Sequence, residues 1–339
     1  GTGANAARIT IDGTSGAGLN SNVASYIFLS DITSVDGAIS LTGNGSNTAG
    51  SYNYGLILHD SSIASTGTGT AAATITLNGT GGTGDGDNIG VYLNTESTVT
   101  TVDGDISMTG QGRGAGANNY GVFIAGELSS TGTGVDAGKI ILNGTSDAGT
   151  SANQGIRLEN SSVASIDGDI SFTGQGGAGT GNSNIGVNLR SSMVSSTGVG
   201  ANAANINING TGGTGQNWHY GINVMNASSR VSSLDGDITL TSQDDFVLNS
   251  YASIVSITGD ISVTADAAAG NNEKNFIMIE GTVINAGSGT ITLVNDSYLH
   301  LASVVTSGLV TATSTSASIF DYGSLNPDIV AGTAILNAY

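Results

Sequence analysis

A pattern that returns every 65 to 67 residues between Ile9 and Leu240 constrains this chain more than any other feature. Ile9-Thr-Ile-Asp-Gly13 reappears as Ile75-Thr-Leu-Asn-Gly79, Ile140-Ile-Leu-Asn-Gly144 and Ile206-Asn-Ile-Asn-Gly210. A second copy stands about halfway through each period, as Ile39-Ser-Leu-Thr-Gly43, Ile106-Ser-Met-Thr-Gly110, Ile170-Ser-Phe-Thr-Gly174 and Ile238-Thr-Leu-Thr-Ser242. A unit this small cannot close a core alone, so neighbours must stack and bury one another's apolar stripe, which makes a solenoid.

Each coil offers three short segments in which apolar and polar residues alternate with period two, the mark of strands rather than helices. The first is Ile-x-Leu. The second is Gly-apolar-x-apolar, seen at Leu56–Leu58, Val91–Leu93, Val122–Ile124, Ile156–Leu158, Val187–Leu189 and Ile222–Val224, each preceded by glycine. The third is rich in Ser and Val, as in Ser62–Ser65, Ser162–Ser165 and Arg230–Ser233. The expected fold is all-β: a right-handed parallel β-helix of about ten coils, right-handed because parallel crossovers overwhelmingly are. Its expected core includes Ile75, Leu77, Ile106, Met108, Ile140, Leu142, Ile170, Phe172, Ile206 and Ile208.

The turn entering the first strand alternates between a tight form, at Asp36, Asp103, Asp167 and Asp235, and a longer one, such as Thr66-Gly-Thr-Gly69 and Thr131-Gly-Thr-Gly134. Long loops follow the first strand in each coil until about residue 243. Residues 1–243 therefore read as a β-helix with long-loop coils, and 244–339 as its continuation in shorter, irregular ones. Gly1–Thr10 nearly repeats Gly198–Asn207, so the chain is expected to begin in the middle of a repeat, as a piece of a longer exported protein.

Seven Lys and Arg stand against 26 Asp and Glu, a net charge of −19, which argues against nucleic-acid binding. Cysteine is absent, so neither disulfides nor thiol chemistry enter. No apolar run is long enough to span a bilayer as a helix, and direct membrane insertion is not expected.

Three sets of side chains are candidates for a role. Asn53, Asn88, Asn119, Asn153 and Asn184 each stand two residues before the glycine of a second strand, with His219 in the sixth place; stacked amides there can form a structural ladder along the axis. The acid pairs Asp103 and Asp105, Asp167 and Asp169, and Asp235 and Asp237 admit two readings, a bound calcium ion or plain turn chemistry, and no other cofactor is indicated. Tyr52, Tyr54, Tyr120, Trp218 and Tyr220 sit late in the loops, where they either anchor a partner from a loop ridge or fold over the adjacent strand.

Catalysis finds little support. Asp244-Asp245 is the one adjacent acid pair, His59, His219 and His300 are scattered, and the basic residues do not cluster along the sequence.

The Gly-Asp-Ile-Ser-x-Thr segments, as at Gly168–Thr173, and the Gly-Thr-Ile-Thr-Leu segment Gly289–Leu293 lie in cysteine-free coils rich in Gly, Ser, Thr and Asn. In style they resemble the repetitive β-helical shafts of filamentous-haemagglutinin-like bacterial exoproteins. That resemblance implies a non-enzymatic segment of a secreted surface adhesin, an extracellular rod contacting a cell-surface glycan or protein. The alternative is a self-assembling subunit of an extracellular filament or layer, whose partners are further copies of itself. A polysaccharide-active β-helix enzyme or a tailspike would require an acid cluster in a groove.

Overall fold

A computed structural model describes residues 1–3, 5–46, 49–265, 275–322 and 328–339. The chain winds into three parallel sheets of 12, 11 and 11 strands, a right-handed parallel β-helix of about eleven coils. The first sheet runs from Ile9–Thr14 to Thr333–Asn337, the second from Ser25–Phe28 to Ile319–Asp321, and the third from Asp31–Ser34 to Ile329–Val330. All three continue through residue 244 without a break, since Ile238 pairs with Ile261, Ile222 with Phe246 and Val231 with Ile254.

Register follows from the repeat. Ile39, Ile75, Ile106, Ile140, Ile170, Ile206 and Ile238 lie side by side in successive strands of the first sheet. A slip of one residue would turn each of these side chains to the outside, so burial locks the pairing. All ten residues expected in the core are fully buried. Each such aliphatic side chain contributes roughly 1.5–3 kcal/mol on leaving water.

The bend between the first and second sheets is where glycine is needed. A Cβ on Gly144 would lie 2.1 Å from the carbonyl oxygen of Gly155, so the two backbones meet there with no room for a side chain. The bend between the second and third sheets carries a row of serines. The Ser30 N–H donates to Ser61 Oγ at 3.1 Å, Ser61 N–H to Ser97 Oγ at 3.3 Å, Ser161 N–H to Ser192 Oγ at 3.2 Å and Ser192 N–H to Ser229 Oγ at 3.2 Å.

The long loops stack as an irregular wall bonded backbone to backbone. Ala115 N–H donates to the Gly84 carbonyl, Thr150 N–H to Gly116 and Gln216 N–H to Gly181. Residues 47 and 48 of the first long loop lie outside the described residues.

Candidate functional site

The asparagine column closes the loops onto the second sheet. Asn53, Asn88, Asn119, Asn153 and Asn184 are fully buried, and their amides run along the axis. Asn53 N–H donates to Asn88 Oδ1 at 3.0 Å, Asn88 N–H to Asn119 at 3.1 Å, Asn119 N–H to Asn153 at 3.1 Å and Asn153 N–H to Asn184 at 3.0 Å. Asn119 Nδ2 also reaches the loop carbonyls of Gly114 and Gly116. Asn22 is a further rung, donating its N–H and Nδ2 to Asn53 Oδ1. The sequence hid it because Ala24 takes the place of the glycine that marks the other rungs.

The residue before each rung is left-handed: Ser21, Tyr52, Asp87, Asn118, Ala152, Ser183 and Trp218 have φ between 54° and 63°. None is glycine, so each carries a conformational cost of roughly 1–2 kcal/mol. The rung bonds and inter-coil backbone bonds such as Tyr52 N–H to Gly86 and Ala152 N–H to Asn182 hold these corners in place. The corner directs side chains outward, so Tyr52 and Trp218 are 49% and 58% exposed.

Outside the second sheet a second column forms. In register lie Tyr92, Phe123, Arg157, Asn188, Asn223 and Val247. Tyr92 and Phe123 stack at 4.8 Å, Tyr54 meets Tyr92 at 6.2 Å, and Tyr120 stands edge-on to Phe123 at 5.5 Å. Arg157 lies over the rings of Tyr120 and Phe123, at 5.3 and 5.5 Å. Its Nε and Nη2 donate to Glu159 Oε2 at 3.0 and 2.6 Å, and Nη1 to the Tyr120 hydroxyl at 3.3 Å. Burial pushes the Tyr54 and Tyr120 hydroxyls above the usual tyrosine range, with the Asp87 carboxylate adding to the first and Arg157 opposing the second. These two tyrosines are thus packed over neighbouring strands.

Beyond Arg157 the aromatic cover stops, because the column becomes Asn188 and Asn223 and the residue after the rung, Tyr120 one coil earlier, becomes Gln154 and then Ile185. A groove of about 460 Å³ opens in the gap. Its floor is a directed chain of amides in which Asn223 Nδ2 donates to Asn188 Oδ1 at 3.0 Å and Asn188 Nδ2 to Gln154 Oε1 at 3.1 Å. Asn223 Oδ1 is buried without a hydrogen-bond partner. One rim carries Trp218 and Tyr220, the other Arg190, Met225 and Asn249. Burial and the Asp245 carboxylate push the Tyr220 hydroxyl up to about 12. Beside it burial lowers the pKa of His219, against the opposing influence of the Asp244 carboxylate and of a hydrogen bond with the Gly215 backbone.

The fold thus brings Trp218 and Tyr220 together at the groove and leaves Tyr52 apart, exposed on a different coil. The remaining groove residues were not singled out in the sequence. Their signal lies in the middle position of the second strand, read as a column across coils.

The paired acids lie on the opposite side of the coil entry and bond to backbone. Gly69 N–H donates to Asp103 Oδ2 at 2.6 Å, Gly134 N–H to Asp167 at 2.7 Å and Gly200 N–H to Asp235 at 2.7 Å, while Gly3 N–H donates to Asp36. In each case a glycine of the long turn, with φ between 70° and 82°, meets the aspartate of the next tight turn. Asp105 accepts from Lys139 N–H, Asp169 from Asn205 N–H and Asp237 from Asp260 N–H, at 2.8, 3.0 and 2.8 Å. Among the described residues no three His, Cys, Asp or Glu side chains gather as a metal site.

No family model matches the chain, and neither a curated protein nor a solved structure does.

Proposed function

We propose that this chain is a non-enzymatic, extracellular binding rod, a segment of a bacterial surface adhesin that contacts its target through the loop wall and the outer face of the second sheet. The observation that carries this reading is the groove beside Trp218. It is the place where the coils depart from self-covering aromatic packing and leave polar and aromatic groups side by side in a concavity, the usual setting of a binding site. No carboxylate lines that groove, and Glu159 next to it is held by Arg157 and Arg190 at 2.6 and 3.6 Å. Hydrolysis of a glycosidic bond calls for two carboxyl groups flanking the bond, so recognition without turnover suits these residues better.

The test is to display the rod on a bacterium that lacks it and to measure attachment to surfaces and cells. The comparison is a variant in which only residues 113–117 and 178–182 of the loops between Gly110 and Gly121 and between Gly174 and Gly186 are replaced by tight turns, which keeps the rungs Asn119 and Asn184, with a melting curve to show that it folds. Attachment conferred by the full rod and lost by the variant supports the reading; attachment equal to that of bare cells for both would overturn it. Sedimentation of the purified chain tests the self-assembling alternative, which requires polymers where the adhesin requires monomers.

A further inference from the structure

We propose that the groove beside Trp218 binds a short acidic oligosaccharide, a pyranose ring stacking on the indole and a ring carboxylate pairing with Arg190. The inference rests on the binding-rod reading and adds the class of ligand.

The first argument is charge. The whole chain has seven Lys and Arg in a net charge of −19, yet Arg157 and Arg190 stand on adjacent strands at this one groove. Glu159 lies between the two guanidiniums, and the Asp245 carboxylate acts on Tyr220 at the other rim, so the positive charge is concentrated on the Arg157 and Arg190 side of the groove. Arg157 is fully engaged, with Nε and Nη2 on Glu159 and Nη1 on Tyr120. Arg190 differs. It touches Glu159 through Nη1 alone, at 3.6 Å, and its side chain is 47% exposed. A half-exposed guanidinium with unspent donors, aligned by one carboxylate, is a ready partner for a second carboxylate.

The second argument is the shape and chemistry of the rest. The lining comes from four successive coils, represented by Ala152, Ser183, Trp218 and Asn249, so the groove runs along the axis for roughly 14 Å at about 4.8 Å per coil. An elongated ligand of a few rings fits that length, whereas a lone anion would leave most of it empty. Trp218 supplies an exposed flat apolar surface at the rim, suited to the carbon face of a sugar ring. The floor is of amides, groups that both donate and accept as sugar hydroxyls do, and Asn223 Oδ1 lacks a donor of its own. A peptide laid in the same place would find neither an open sheet edge nor a row of apolar pockets, because the second sheet is paired on both sides here.

Trp218 is the only tryptophan of the chain, so its fluorescence reports on this groove directly. The purified protein is titrated with trigalacturonate and trimannuronate and, in parallel, with the neutral trisaccharides maltotriose and mannotriose. A saturable change with at least one uronate trimer, at lower concentration than with either neutral trimer, is expected. Arg190→Gln should weaken the uronate response roughly tenfold, the worth of a charge-assisted hydrogen bond. The variant should melt at the temperature of the parent and keep its response to neutral sugar. Calorimetry on Trp218→Ala should show a comparable loss. Absence of a saturable change with both uronates, equal affinity for the neutral trimers, or an Arg190→Gln titration superimposable on the parent would overturn the proposal. If cell attachment persists in Arg190→Gln while the loop variant loses it, the rod reading stands and the acidic-saccharide site falls.

Discussion

Asn153 accepts two hydrogen bonds from Asn119, the rung one coil below, through a single oxygen: the backbone N–H and Nδ2 both lie 3.1 Å from Asn153 Oδ1. Neither donor can reach water, since both residues are fully buried. Replacing Asn153 with Ala strands the Asn119 N–H, while Nδ2 keeps the Gly114 and Gly116 carbonyls, and removes a tie that holds the left-handed corner at Ala152. A loss of about 1–3 kcal/mol is expected in urea unfolding. Asn153→Asp retains an acceptor but buries a charge, and should be no better tolerated.

His219 makes stability depend on pH. Burial lowers its pKa from 6.5, so the folded chain binds this proton less readily than the unfolded chain does. The stabilisation is therefore complete above 6.5 and is lost as pH falls through the depressed folded value. His219→Asn places an amide in the sixth rung, where its Oδ1 can accept the Asn184 N–H. Melting curves across this range should lose the His219-dependent fall, and the variant should melt higher than the parent at the acidic end. An unchanged pH profile would remove His219 from the account.

At the tight turns the expected behaviour is acid sensitivity. The Gly200 N–H, with the Thr258 hydroxyl second, holds the Asp235 carboxyl below its ordinary range. Its contribution is present above the usual aspartate pKa and disappears as pH falls through the lowered folded value. Asp235→Asn should flatten that acid limb. Calcium should leave the melting temperature unchanged at matched ionic strength, because Asp103, Asp167 and Asp235 already spend an oxygen on glycine N–H groups. A rise with calcium that Asp167→Asn abolishes would instead identify the turns as ion sites.

Gly144→Ala tests the bend between the first two sheets. The added methyl would meet the Gly155 carbonyl at 2.1 Å, backbone against backbone, with no flexible side chain to yield. A destabilisation of about 3 kcal/mol or more is expected, against a small change for alanine at Gly16, where the same atom meets nothing. Thermal melts of the two variants side by side check the contrast.

The strands, their register and the core were legible because alternation within a strand and repetition between coils point to the same side chains. The asparagine column was legible for the same reason, each rung being tied to a glycine two residues on. Serines 61, 97, 161 and 192 were not, since serine is common throughout the chain and nothing in the sequence sets those apart. The groove was harder still. It is made by what is missing, an aromatic ring at Gln154 and Ile185, in the place that Tyr54, Tyr120 and Tyr220 take on other coils. Its polar column, Arg157 to Asn223, appears only when the middle residues of successive strands are laid side by side. Tyr54 and Tyr120 looked like their exposed loop neighbours, yet Tyr92 on the adjacent coil half-buries the first, and Phe123 on its own coil with Arg157 on the next buries the second.

The bond from a long-turn glycine to the aspartate of the following tight turn has a consequence for how such a chain can grow. Gly69 with Asp103, Gly134 with Asp167 and Gly200 with Asp235 make each donor coil complete only with the acceptor coil above it. Duplication or excision of a single coil would set two long turns or two tight turns against each other and leave a glycine or an aspartate unmatched. A genetic exchange that moves two coils together preserves every such match. Up to about residue 243 the unit that keeps these matches is therefore the coil pair, and a protein with one pair deleted should keep its stability better than one with a single coil deleted.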